Sequence, residues 1–172
     1  MATAIQIPLQ VRFGDIDAYG HVNNVVFLQY LEDARVQLTH TPLGDSAGPG
    51  TDATGTFQRL LDADTFTLVA RHEIEYLHPI EFRPAPVFAN IWVTRIGGSS
   101  FDFGCTVAER DGATVYAQAS TAMVLVSRST GRPVRLTDAQ RHALATWLGD
   151  DVPFRRRPAA AAAVVPALEG VC

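Results

Sequence analysis

Two aspartates, a histidine, two asparagines and two glycines fall within twelve residues of this chain, in the run FGDIDAYGHVNN at 13–24. A strand-like alternation precedes the run and a strongly apolar stretch follows it. Asp17 therefore stands just ahead of a helix start. The first backbone N–H groups of a helix have no partner within it, and together with the helix dipole they favour negative charge. Gly20 to Asn23 would supply such groups to an oxygen that develops charge. A carboxylate beside an oxyanion site is the minimum equipment for acyl transfer, because Asp17 can attack a carbonyl or activate a water. Gly20 permits close approach of a substrate. The same residue types also make ordinary connecting turns, with Asn23 or Asn24 as a helix cap. On the residues alone, both readings stand.

The flanking segments must position this run. Residues 6–14 alternate Ile7, Leu9, Val11 and Phe13 with polar side chains and predict a strand, and Pro8 near its start points to a sheet edge. Residues 24–40 predict a helix so apolar that it should be buried on most sides. Residues 41–64 are rich in Gly, Pro, Ser, Thr and Asp and predict a loop with a short helix at 57–61. Four strands are expected next, at 65–80, 86–96, 100–110 and 113–127. In the first of these, alternation puts Phe66, Leu68, Ala70, His72, Ile74 and Tyr76 on one face. Asp111-Gly112 signals a tight hairpin between the last two. Thr137 and Gln140 form a capping-box pattern for a second helix over 137–149, with Gly149 as its C′ residue. One apolar helix and one antiparallel sheet imply an α+β layer pair, with the sheet curved around the helix. The expected domain is 1–149. The Arg-, Ala- and Pro-rich residues 150–172 read as a disordered tail.

Composition narrows the function. The chain has 172 residues, 47% of them hydrophobic and 19% charged, and a formal net charge of −4. That suits one globular domain and offers no general attraction to nucleic acid or anionic membranes. No apolar run is long enough to span a bilayer, and the N-terminal residues do not have the pattern of a signal peptide. Cys105 and Cys172 form no metal or dithiol spacing, and the histidines show no metal-ligand spacing. The expected setting is reduced and cytoplasmic.

The run VRFGDIDAYGHVNNVVFLQYLEDAR resembles the signature of hotdog-fold acyl-CoA thioesterases of the 4-hydroxybenzoyl-CoA thioesterase type. The matching positions are Asp15, Asp17, Gly20, His21 and Val22, followed by Tyr30, Glu32 and Arg35 on the helix. The resemblance implies a hotdog fold and hydrolysis of an acyl-CoA, or of an acyl-carrier-protein thioester, to a free acid and a thiol. It implies that Asp17 is the catalytic carboxylate, nucleophile or general base, and that the backbone amides of Gly20, His21 and Val22 polarise the thioester carbonyl. Asp15, Asn23 and Asn24 would support the turn, and His21 would position rather than react. A homodimer or homotetramer is implied, with no metal or redox cofactor. Two other functions remain open: a hotdog dehydratase acting on 3-hydroxyacyl thioesters, and a non-catalytic acyl-CoA-binding module.

Two turns offer donors for the CoA phosphates: Ser99 and Ser100 in RIGGSSF, and Arg128, Ser129, Thr130 and Arg132 in SRSTGRP. Both also read as plain hairpin turns. Glu32 and Arg35 have the spacing of an ion pair on a helix, for which a structural role is expected.

Overall fold

Alternating side chains at residues 5–9 form strand β1 (Ile5–Leu9), which turns Ile7 and Leu9 into the core. In the computed structural model, which describes residues 4–43 and 55–155, this strand ends at Leu9 and does not run on to Gly14. Asp15 is the reason. Its carboxylate accepts the Arg12 backbone N–H at 2.8 Å, and Phe13–Asp15 closes into a 3-10 turn. Phe13 is left 79% exposed instead of alternating inward. Pro8 lies on an edge strand, where its missing N–H breaks no ladder.

Asn23 caps helix α1 (Asn24–Thr39), its side-chain oxygen accepting the Val25 N–H at 3.0 Å. The helix buries Phe27, Tyr30, Leu31, Ala34 and Leu38 at spacings of three and four. It is not buried on most sides, because Val25 and Val36 on the far side are 59% and 52% exposed. The apolar residues form two stripes, and one sheet covers only one of them.

That sheet is antiparallel, in the order β1-β3-β4-β5-β2, with β2 (Thr65–Tyr76), β3 (Val87–Ile96), β4 (Ser100–Ala108) and β5 (Val115–Ser127). Gly112, at φ +73°, turns β4 into β5, with the Asp111 carboxylate accepting the Ala113 N–H at 3.0 Å. Ile91 and Val93 of β3, Phe101 and Phe103 of β4, and Met123 and Leu125 of β5 share one core with the buried stripe of α1. This is the α+β arrangement of a sheet wrapped on a single helix.

Strand β2 breaks the expected alternation. A bulge lies between Val69 and Arg71. Before it, Thr67 and Val69 pair with the buried Leu125 and Met123; after it, His72, Ile74 and Tyr76 pair with Thr121, Ala119 and Ala117. Directly paired residues share a face. The extra residue therefore sends Phe66 and Leu68 outward and keeps His72, Ile74 and Tyr76 inward. The strand stops at Tyr76, not Ile80, because Leu77 and His78 both donate their N–H to the Tyr116 carbonyl, at 2.8 and 3.1 Å.

Thr137 and Gln140 close the capping box that opens α2 (Asp138–Ala145). Gln140 also donates to the Leu60 carbonyl at 2.9 Å, which ties α2 to the 3-10 turn Phe57–Leu60. The helix ends at Ala145, so Gly149 is not its C′ residue. The Gly149 N–H donates to the Val93 carbonyl at 2.8 Å, on the edge of β3 just past Ile91, the partner of the first residue of β1. Residues 150–155, which composition groups with the tail, are bonded to the sheet. Trp92 donates to the Asp150 carbonyl at 2.7 Å, Gln118 to Pro153 at 3.0 Å, and the Arg155 N–H to Glu75 at 3.1 Å. Residues 156–172 of the tail expected at 150–172, with Cys172, and the part of the expected loop at 44–54 lie outside the described residues. Among the described residues no helix is long and apolar enough to cross a membrane.

Candidate active site

Asp17 opens a tight turn that backbone and side chain build together. Its N–H donates to the His21 carbonyl at 2.8 Å, and its carbonyl accepts the Gly20 N–H at 3.1 Å. Gly20 takes φ +84°, a conformation that costs other residues energy. The Asp17 carboxylate folds back over the turn, where Oδ1 accepts the N–H groups of Tyr19 at 2.8 Å and His21 at 3.3 Å. Its Oδ2 has no donor among the described residues.

This geometry redistributes the amides. Gly20 gives its N–H to Asp17, His21 gives its N–H to the Asp17 carboxylate, and Val22 donates to the Ile80 carbonyl at 2.8 Å. Asn23 donates to the Asp15 carbonyl at 2.9 Å. At the start of α1, Val25 and Val26 are both held by Asn23. Asn24, the first residue of the helix, is left with an N–H that has no acceptor among the described residues.

Asp15 lies beneath the turn and is buried. Burial works to raise its carboxyl, but the Arg12 N–H, the Tyr30 hydroxyl at 2.8 Å and the Arg12 guanidinium at 3.3 Å outweigh that and hold it below the usual carboxylate value. Burial and the adjacent carboxylate push the Tyr30 phenol upward. Asp15 and Asp17 thus sit in different environments two residues apart: one enclosed and fully partnered, the other at the surface of a cavity.

That cavity measures about 360 Å³. Asp17, His21 and Asn24 line it from the turn and helix start, Phe27 from α1, Tyr76 from the end of β2 and His78 from the segment just after it. Tyr76 donates its hydroxyl to the Asn24 carbonyl at 3.2 Å and stands edge-on to Phe27, with ring centroids 5.3 Å apart. Burial raises the Tyr76 phenol. Sequence reading did not assign Tyr76 and His78 to the site. They lie more than fifty residues downstream, and no motif links them to Asp17.

Ser99, Ser100, Arg128, Ser129, Thr130 and Arg132 do not line this cavity. The Ser99 carbonyl accepts the Leu125 N–H at 2.9 Å, and Ser100 begins β4. Arg128 stacks over the Phe66 ring at 4.6 Å. Ser129 gives its N–H and hydroxyl to Asp64, at 2.9 and 3.1 Å, and Ser127 also donates to that carboxylate, at 2.7 Å. The Thr130 N–H donates to Ser127 at 3.1 Å, and the Arg132 N–H to Thr130 at 3.3 Å. Hydrogen bonds from Ser127 and Ser129 hold Asp64 below its usual range. Asp64 thus takes donors of the SRSTGRP turn that a phosphate would use. Glu32 and Arg35 form no ion pair, and no three His, Cys, Asp or Glu among the described residues stand together as metal ligands.

The arrangement matches known proteins. The thioesterase-like superfamily model matches residues 11–144. A Thermus thermophilus thioesterase, solved with coenzyme A and zinc, is 30% identical with a TM-score of 0.63, over 85% of this chain and 96% of that one. The PA5185 protein of Pseudomonas aeruginosa is 25% identical with a TM-score of 0.67, over 85% and 93% of the two chains. The fold is also that of a 1,4-dihydroxy-2-naphthoyl-CoA thioesterase from Synechocystis, 18% identical with a TM-score of 0.63, over 83% and 96% of the chains. No curated protein sequence matches the chain. With the family model spanning most of its length and the antiparallel sheet wrapped on α1, the chain belongs to the thioesterase-like superfamily of hotdog-fold thioester hydrolases.

Proposed function

We propose that the protein hydrolyses an acyl-CoA to the free acid and CoA at the cavity of Asp17 and Asn24. One observation carries the reading: Asp17, which keeps a carboxylate oxygen without a donor, and Asn24, which keeps a helix-terminal amide without an acceptor among the described residues, line the same cavity. With the thioester carbonyl oxygen on the Asn24 N–H, the developing negative charge lies at the positive end of a sixteen-residue helix. Oδ2 of Asp17 then either adds to the carbonyl carbon and expels the thiolate, leaving an anhydride for water to open, or takes a proton from a water that adds instead. Both routes consume one water and yield a carboxylic acid and a thiol. The amides of Gly20, His21 and Val22 have other acceptors and serve to hold Asp17 in place. Phe27 and Tyr76 give the cavity apolar walls suited to the acyl carbons beside the carbonyl.

The exposed Val25, Leu28 and Val36 of α1, and the free edge of β2, support a homo-oligomer in which a second copy covers them. Release of CoA from a panel of acyl-CoAs, measured with the natural protein and with Asp17→Asn, tests the activity. Hydrolysis of no chain length, or full activity in the variant, would overturn it. Single turnover in ¹⁸O-labelled water tests the nucleophilic route, since water that opens the anhydride at the Asp17 carbonyl leaves label in that carboxylate and general-base hydrolysis leaves none there.

A further inference from the structure

The turn that bears Asp17 rests on residues 77–84, the segment that follows β2. This segment touches the chain on both sides of Asp17. Ahead of it, the Pro84 carbonyl accepts the Gln10 side-chain N–H at 3.0 Å, and Phe82 stands edge-on to Phe13 with ring centroids 5.8 Å apart. Beyond it, the Ile80 carbonyl accepts the Val22 N–H at 2.8 Å. Val22 follows His21, whose N–H and carbonyl both bond to Asp17. A displacement of residues 77–84 therefore displaces Asp17.

Tyr116 of β5 ties both ends of the segment. Its carbonyl accepts the N–H groups of Leu77 and His78, at 2.8 and 3.1 Å. At the other end Arg83 donates from Nη1 to the Tyr116 hydroxyl at 3.2 Å, and that hydroxyl donates in turn to the Glu109 carboxylate. Arg83 also grips Glu109 directly, through Nη1 and through Nη2 at 3.3 Å. Two donors in one plane fit a carboxylate as the point charge of a lysine does not. Glu109 is a fixed anchor. Its N–H donates to the Thr114 carbonyl and its carbonyl accepts the Gly112 N–H, both at 2.9 Å, within the β4–β5 hairpin. Hydrogen bonds from Arg83 and Tyr116 hold its carboxyl below the usual range. Ile80 packs into the core, but a cavity of about 360 Å³ is lined by Tyr116 and residues 79–83. Packing thus supports only part of the segment, and its tethered ends set where the rest lies.

We propose that Arg83, Glu109 and Tyr116 are positioning residues. They lock residues 77–84 to the β4–β5 hairpin and, through Ile80 and Val22, hold the Asp17 turn where its carboxylate can react. Their effect on turnover rests on the hydrolysis proposed above; the mechanical link to the turn does not. An ion pair whose side chains are 32% and 27% exposed adds little to stability. Its loss should therefore show in catalysis more than in melting, because a misplacement of about 1 Å costs on the order of a hundredfold in rate.

Amide hydrogen exchange and acyl-CoA hydrolysis, measured on the full chain and its variants, test this. In Arg83→Ala, exchange at the Val22 N–H should quicken by about tenfold, as for one hydrogen bond lost, while the Leu31 N–H inside α1 keeps its rate. There kcat should fall by about tenfold to a hundredfold with KM little changed, since Asp17 is displaced while the cavity still binds. Arg83→Lys should recover part of the loss. Arg83→Ala combined with Glu109→Gln should cost no more than Arg83→Ala alone, because the pair acts as one unit. Arg110→Ala removes a charge from the same hairpin, where its guanidinium stacks over Phe88, and should leave both readouts as they are. Tyr116→Phe keeps the ring and the carbonyl, and it decides the matter if Arg83→Ala does not fold. An unchanged Val22 rate, or an equal change in Arg110→Ala, overturns the link. Faster Val22 exchange with full kcat, or losses that simply multiply in the double variant, overturns the positioning role. Absence of hydrolysis in the natural protein would sink the thioesterase reading, and the Val22 rate would still decide whether these residues hold the turn.

Discussion

The phenol hydroxyl of Tyr30 donates to the carboxylate of Asp15 at 2.8 Å, both groups buried, and fastens the turn that bears Asp17 to the middle of the helix that follows it. Tyr30→Phe keeps the ring in the core and removes only this donor. It should cost about 1–3 kcal/mol in urea denaturation, the range for a buried acceptor that loses a partner. It should also lower kcat through displacement of Asp17. Unchanged stability would mean that the bond contributes nothing.

The same carboxylate sets an acid limit. The folded state holds Asp15 below its usual value, so its stabilising contribution is fully present above the unfolded pKa of about 3.9 and is lost as pH falls through the lower folded value. Unfolding free energy should therefore decline in the acid range below that point. Asp15→Asn should be less stable near neutrality and should flatten that part of the acid decline. An equal slope in both proteins would exclude Asp15 as its source.

Asp17→Asn retains an oxygen to accept the Tyr19 and His21 N–H groups, while Asp17→Ala retains none. Both should lose hydrolysis, by about a hundredfold to ten-thousandfold if Asp17 acts as the general base. Only Asp17→Ala should also melt earlier, by the worth of about 1 kcal/mol for the lost turn bonds. Thermal melts beside CoA-release assays separate the chemical role from the structural one.

A Cβ added at Gly104 would lie 2.5 Å from the Trp92 indole, whose N–H donates to Asp150. Gly104→Ala should destabilise the fold by about 1–3 kcal/mol, as overpacking does. It should shift the tryptophan emission as the ring is pushed away and the 150–155 segment loosens. A silent substitution would mean that the indole has room to move.

Leu28→Glu with Val36→Glu places charge on the exposed stripe of α1 without touching its buried one. In sedimentation velocity the natural protein should run as an oligomer and this variant as a monomer. A monomeric natural protein would remove the second copy from the proposal.

Local order was legible wherever one side chain acts on its own backbone. The capping box of Thr137 and Gln140, the Asn23 cap, the Asp111-Gly112 turn and the Asp17 turn all depend on partners two to four residues away, and the letters name both partners. The family signature at 11–35 is of the same kind, because the turn and helix it describes are continuous in the chain. What is settled across the sheet was not legible. The bulge after Val69 exists only against the register of β5, and it reverses which residues of β2 face inward. The Val22 N–H could be counted as free until Ile80, far along the chain, took it, leaving Asn24 as the helix-terminal amide at the cavity. Spacing paired Arg35 with Glu32, but burial drew the guanidinium toward the core while Glu32 stayed at the surface. The sequence by itself determined the elements, their order and the carboxylate at the helix start, since these follow from interactions between near neighbours. Only the tertiary structure decided which amides and charges are left without partners, because that depends on the groups distant segments bring to them.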